Sequence, residues 1–139
     1  MTDFRFTTSI ETRYADLDAQ GHLNNAKYFT FMEHGRLKYC VAVGLLNPAN
    51  GFMGQGQIVA EATCAFKRPV GCGQWVVVAV RIASIGDKSA VMEYRLTVAA
   101  EVVATGRTVQ VAYDYDLGRS MSFPAEWRAK IAAFEGREF

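Results

Sequence analysis

From Ser89 to Ala99 the chain alternates, with Met92, Tyr94, Leu96 and Val98 against Glu93, Arg95 and Thr97. A period of two predicts a half-buried strand. Val102 to Tyr115 alternates again, with Val109, Val111, Tyr113 and Tyr115 sharing one face, and Ile58 to Arg68 sets Ala60, Ala62, Cys64 and Phe66 against Glu61, Thr63, Ala65 and Lys67. Trp75 to Ile85 is almost wholly apolar, and Gly86-Asp87 makes a hairpin turn into the next strand. Residues 5 to 14 are rich in β-branched and aromatic types and predict a first strand.

One segment has a different period. Asn24 is a good N-cap, and from Asn25 to about Val43 a helical pattern places Tyr28, Phe29, Met32, Gly35, Tyr39, Cys40 and Val43 on one face. Lys27, Thr30, His34 and Lys38 lie opposite, and Gly44 ends the helix. Ala15 to Leu23 and Leu45 to Gln57 are loops by composition. A short helix, Ala125 to Phe134, opens after Pro124 and stops at Gly136. The order is strand, long helix, then four consecutive strands. It predicts an α+β fold: an antiparallel sheet of about five strands, one long helix packed on a single face, and a short C-terminal helix.

Composition narrows the picture. A chain of 139 residues, half apolar and 21% charged, is expected to form one domain, 1–139, with a sizeable core. Its formal charge of +1 gives no electrostatic case for nucleic acid or an anionic membrane surface. The acidic start reaches no apolar run of signal-peptide length, so export is not expected. The longest uncharged stretch, Tyr39 to Ala60, is broken by Asn47, Pro48, Asn50 and four glycines, which argues against a membrane span. Three widely spaced cysteines read as free thiols in a reducing cytoplasm. Two histidines twelve residues apart, on different elements and without clustered carboxylates, do not assemble a ligand set, so no metal is expected.

The chemistry concentrates between Asp16 and Asn25. Asp16, Asp18, His22, Asn24 and Asn25 fall directly before the longest helix. A helix N-terminus offers unpaired N–H groups and the positive end of the dipole, which can hold a developing oxyanion. A nearby carboxylate can attack a carbonyl or activate water. Acyl-transfer hydrolysis is the reaction class this pattern points to. The plainer alternative is that Asp, Gly and Asn are ordinary turn formers and that an Asp upstream of a helix favours the dipole in any case.

The run Asp16-x-Asp18-x-x-Gly21-His22-x-Asn24-Asn25-x-x-Tyr28, preceded by Thr12-Arg13-Tyr14, resembles the signature of the 4-hydroxybenzoyl-CoA thioesterase family of hot-dog proteins. Phe31-Met32-Glu33-His34-Gly35-Arg36, Phe66-Lys67-Arg68-Pro69-Val70 and Ile85-Gly86-x-x-Ser89 resemble its later landmarks. The likeness runs from about Ile10 to Tyr113. It implies a curved antiparallel sheet wrapped around a long helix, hydrolysis of an acyl-CoA without a cofactor, and assembly as a homodimer or homotetramer. It further implies Asp18 as nucleophile or general base, the Asn25 backbone N–H as oxyanion donor, a loop shaped by Asp16, Gly21 and Asn24, and Tyr28 facing the acyl pocket. His22 departs from the benzoyl-specific enzyme and matches a broader branch with Gly-His-x-Asn-Asn.

The remaining candidates rest on the residues themselves. His22 is placed as an orderer of the loop ahead of an acid–base role, Tyr28 and Met32 as core or pocket, and Lys67, Arg68 and Arg119 as candidates for coenzyme A phosphates. Glu33 and Arg36, spaced i,i+3, are expected to pair, with Arg36 a candidate to steady a loop carboxylate. Glu33 as nucleophile is rejected, because it falls two residues late for a second hot-dog branch whose acid lies nine residues after a His-Gly-Gly histidine. Two other readings stand beside hydrolysis: a non-catalytic acyl-thioester-binding module and a hot-dog dehydratase. An acyl carrier protein thioester is an alternative substrate.

Overall fold

The valine-rich and alternating segments become the centre of one antiparallel sheet. The computed structural model describes residues 4–50 and 56–139; the chain start and part of the expected 45–57 loop lie outside the described residues. The strands are β1 (Phe6–Glu11), β2 (Gln57–Phe66), β3 (Trp75–Ile85), β4 (Ser89–Val98), β5 (Glu101–Asp114) and a two-residue β6 (Arg119–Ser120). The main sheet runs in the order β1-β3-β4-β5-β2, with β6 paired to β5. The helices are α1 (Asn25–Val43) and α2 (Ala125–Glu135). This is the α+β order the sequence pattern predicts and the hot-dog architecture the resemblance implies, with β6 and short turns of helix at Tyr14–Asp16 and Pro48–Asn50 added.

α1 lies across the inner face of the sheet, over β3 and β1 more than over β2. Gly35 lets it come that close: a Cβ there would stand 2.6 Å from Val78 Cγ1 on β3. The core forms between Tyr28, Phe31, Met32, Tyr39 and Cys40 of α1 and Val76, Val78, Val80, Met92, Tyr94 and Leu96 of the sheet. At the far end, Glu135 of α2 is buried and accepts from the Tyr39 hydroxyl at 2.6 Å and the Ile82 N–H at 3.2 Å. Both bonds satisfy a carboxylate that burial would otherwise penalise.

Four expectations change. Phe31, not Phe29, is in the core, 1% exposed against 36%, because α1 is rolled toward β3 and β1 and leaves the β2 side open. His34 is half-buried rather than solvated, and burial lowers its pKa. On β5 the apolar face with Val109 and Val111 is the outer one; Thr108, Gln110 and Ala112 point inward. The expected alternation of β2 is also broken. Its pairing with β5 shifts register between Val59 and Glu61, and as an edge strand it is exposed along most of its length.

Candidate active site

Leu17 and Leu23 face one another in an isolated antiparallel bridge, which closes residues 18–22 into a small loop. The Asp18 N–H donates to the His22 carbonyl at 2.8 Å, and the Gly21 N–H donates to the Asp18 carbonyl at 3.0 Å. Gly21 takes φ +80°, the left-handed region in which a side chain is strained. The Asp18 side chain completes the turn: its Oδ1 accepts from the N–H groups of Gln20 at 2.9 Å and His22 at 3.3 Å. Among the described residues Oδ2 accepts no hydrogen bond, and the side chain is half-exposed. One oxygen is held and the other is available.

Asp16 sits two residues earlier in a different environment. It is fully buried, with Oδ2 accepting from the Arg13 N–H at 2.9 Å and from Arg13 Nε at 3.2 Å, and Oδ1 accepting from Arg13 Nη2 at 2.9 Å. Lys27 Nζ stands 3.9 Å away. The hydrogen-bonded Arg13 guanidinium holds the Asp16 carboxyl below the usual carboxylate range, against the opposing effect of burial. The carbonyl of Asp16 accepts the Asn24 N–H at 2.9 Å, which joins this anchored turn to the start of α1. The partner of the loop carboxylate is therefore Arg13 and not Arg36, which is committed elsewhere. Nothing in the residue types distinguished the two arginines; only the turn at 14–16 brings Arg13 back onto Asp16.

Asn24 caps α1 as expected, with its side chain accepting from the Ala26 N–H at 2.9 Å. Asn25 is the first helical residue, so its own N–H has no acceptor within the helix. That end of α1 opens into a cavity of about 240 Å³ lined by Asp18, His22, Asn25, Tyr28, Lys67 and Arg68. Tyr28 is core and pocket wall at once. It is 3% exposed, its hydroxyl donates to the Arg68 carbonyl at 3.2 Å, and its ring packs edge-on against Phe66 at 5.0 Å. Burial pushes its phenol pKa up, so it stays protonated. Lys67 is exposed at the rim, and Arg68 Nη1 lies 3.3 Å from Glu101 with both side chains well solvated.

The cavity brings together six of the residues singled out from the sequence and leaves others apart. Met32 is buried deeper in the core, 1% exposed. Glu33 and Arg36 do pair, at 3.7 Å, further along α1. Arg119 borders a separate cavity beside β6. Gln20, Leu23, Phe66 and Pro69 also line the site without having been assigned to it. Phe66 had a signal, an aromatic residue directly before Lys67-Arg68-Pro69 at a strand end; Gln20 had none, since it contributes a backbone N–H. Among the described residues no three His, Cys, Asp or Glu side chains converge, so there is no ligand set for a zinc ion. Among the described residues no helix is long and apolar enough to cross a membrane.

The fold recurs in known proteins. A thioesterase from Thermus thermophilus, solved with coenzyme A and zinc, is 31% identical, covers 99% of both chains and superimposes with a TM-score of 0.86. A predicted thioesterase from Bacillus stearothermophilus is 28% identical over 93% of this chain and 95% of its own, with a TM-score of 0.84. The uncharacterized protein YsmA of Bacillus subtilis strain 168 is 25% identical over 126 residues, 90% of this chain and 84% of its own. A family model matches residues 12–131, the motif loop, α1 and all of the main sheet but β1, and with it the chain belongs to the Thioesterase-like superfamily.

Proposed function

We propose that this chain, working as a single domain, hydrolyses an acyl-CoA thioester to the free acid and coenzyme A, with Asp18 as nucleophile or general base. One observation carries the reading: a half-exposed carboxylate with one fixed and one available oxygen shares a cavity with the open N-terminus of α1. The thioester carbonyl would accept from the Asn25 N–H, and the negative charge that develops on it is stabilised by that donor and the helix dipole. Asp18 Oδ2 would then attack the carbonyl carbon and expel the coenzyme A thiolate, leaving an acyl-enzyme anhydride that water hydrolyses. Alternatively, it would take a proton from a water whose attack expels the thiolate and gives the free acid directly. Tyr28 and Phe66 would form an aromatic wall for the acyl group, and Lys67 at the rim would meet a coenzyme A phosphate. The coenzyme A bound by the Thermus relative supports that ligand class. The loop motif supports a place near the 4-hydroxybenzoyl-CoA branch, and the free thiols of Cys40, Cys64 and Cys72 suit a reducing cytoplasm.

Thiol release from a panel of acyl-CoAs, repeated with Asp18→Asn, tests this. Turnover lost in the variant supports hydrolysis through Asp18. Binding without turnover in the wild type would instead make the protein an acyl-thioester-binding module.

The reading includes assembly. β2 is an edge strand with Ile58, Val59 and Phe66 exposed, and edges of this kind are commonly covered by pairing. We place a second copy there, giving a dimer or tetramer in which β2 of one chain contributes to the site of the other. A fully active monomer of 15.4 kDa in light scattering would refute the assembly. Mixing Asp18→Asn with a variant blocked on β2 should restore part of the activity if the sites are shared.

A further inference from the structure

Beyond the Asp18 cavity, the open side of α1 leaves a groove against β2. Two cavities of about 210 and 230 Å³ adjoin there and share Glu33, Arg36 and Val59. Phe66, 45% exposed, stands between this groove and the Asp18 cavity, packed against Tyr28 and Phe29. The groove's floor is unusual. β5 turns Thr108 and Gln110 inward although its alternate face carries valines, and Gln110 is 3% exposed. The Thr108 hydroxyl is paired with Tyr94 at 2.7 Å. Gln110 Oε1 is different: among the described residues it is the one buried side-chain nitrogen or oxygen without a partner. Leaving such an atom unpaired is costly, and it points to a ligand that pairs it.

Arg36 supplies the complementary half. Its side chain is 15% exposed, donates to the Tyr94 hydroxyl at 3.3 Å, and lies 3.7 Å from a Glu33 that is 71% exposed. A guanidinium has five N–H donors, so several remain unspent. A donor with spare capacity and an acceptor without a donor thus line one groove. A hydroxyl serves both, accepting from Arg36 and donating to Gln110 Oε1. A methyl terminus serves neither. A carboxylate would serve Arg36, but it would bring a second negative group beside Glu33 and present nothing for Oε1.

Resting on the thioesterase reading above, we propose that the α1–β2 groove receives the acyl chain and that Arg36 and Gln110 select one bearing a hydroxyl near its far end. Asn25 and Arg36 are eleven positions apart on α1, roughly 16 Å at the helical rise. An extended chain advances roughly 1.2 Å per bond, so the hydroxyl sits roughly a dozen bonds from the thioester carbonyl. Rotation of the half-exposed Phe66 ring joins the two cavities.

The test compares kcat/KM for lauroyl-CoA, ω-hydroxylauroyl-CoA and the matching ω-carboxy acyl-CoA. The wild type should favour the hydroxylated chain over the plain one by about tenfold or more. In Gln110→Leu, which keeps the volume and removes the acceptor, that ratio should fall to near one. Equal or reversed preference, a preference for the ω-carboxy chain, or a ratio that survives in folded Gln110→Leu would overturn the proposal. Calorimetric binding of free ω-hydroxylauric acid against lauric acid reads the same preference without turnover. If no acyl-CoA is hydrolysed, the thioesterase reading fails, while the binding comparison still decides the groove.

Discussion

Asp16 and Asp18 are two residues apart, the same side chain in the same loop, and the fold uses them in opposite ways. Asp16 is buried with both oxygens engaged by Arg13, and its loss of hydration is offset by three hydrogen bonds. Asp18 is half-exposed, holds two N–H groups with one oxygen and leaves the other unengaged. A fully satisfied carboxylate is a poor base and a poor nucleophile, because reacting means surrendering its partners. A wholly free one would have no fixed direction. The difference shows how one loop builds an anchor and a reactive group from a single residue type: the anchor fixes the turn, and the turn aims the other.

The largest effect should come from removing the reactive member. Asp18→Asn is expected to lower kcat by about 10²–10⁴-fold while thermal stability and KM stay near wild type, measured by thiol release and melting curves. A normal kcat in the folded variant would mean that the available oxygen of Asp18 is idle.

The oxyanion half can be broken without touching either aspartate. Asn24 has φ −61° and ψ 136°, the extended geometry that a following proline requires. Asn25→Pro therefore removes the N–H at a helix position that accepts proline, and kcat should fall by about 10²–10³-fold. Asn25→Ala, which keeps the N–H, should retain most of the activity. Similar steady-state rates for the two variants would move the oxyanion site elsewhere.

Breaking the anchor should show in stability before it shows in turnover. Asp16→Asn is expected to cost about 1–3 kcal/mol at neutral pH and to lower kcat far less than Asp18→Asn does. Because the folded-state pKa of Asp16 lies below its unfolded value of about 3.9, its contribution is complete above that value and is lost as the pH falls through the folded one. Denaturant unfolding of both proteins across an acid pH series should show the gap closing below about pH 4. A gap that stays constant would mean that the charge of Asp16 does not matter.

The smallest change concerns the turn that links the pair to α1. Gly21 has no atom within 4 Å of where a Cβ would stand, so Gly21→Ala meets no clash and bears only the strain of its left-handed backbone. A loss of about 1 kcal/mol and a Tm lower by about 4 °C are expected. An unchanged Tm would show that the loop relaxes around the strain.

What the sequence made legible followed from local chemistry. Asn24 and Gly44 mark the ends of α1 because capping is decided within a few residues, and the loop motif is contiguous, so Asp18, His22, Asn25 and Tyr28 arrive in the cavity together. What it hid depends on the partner surface. Phe29 and Phe31 differ in burial because α1 rolls toward β3, which no helical wheel contains. The bulge beyond Val59 and the edge position of β2 undo its alternation. The β4–β5 hairpin turns at Ala99 and Ala100 with φ of 50° and 67°, a bend for which glycine or asparagine would have been the sign. The inward polar face of β5 is a departure of a further kind, a local pattern set aside where the groove has use for it.

The missing side chain at Gly35 carries a consequence for how such a protein diversifies. The separation of helix and sheet is set there by bare backbone against Val78, about ten positions along α1 from the reacting end. Placing a single methyl at that contact would force α1 away from Val78 and Val80 of β3 while leaving every polar group of the loop in its sequence. On the acyl-groove reading proposed above, residue 35 becomes a position at which descendants of this chain can trade stability for groove width without altering the chemistry of the loop.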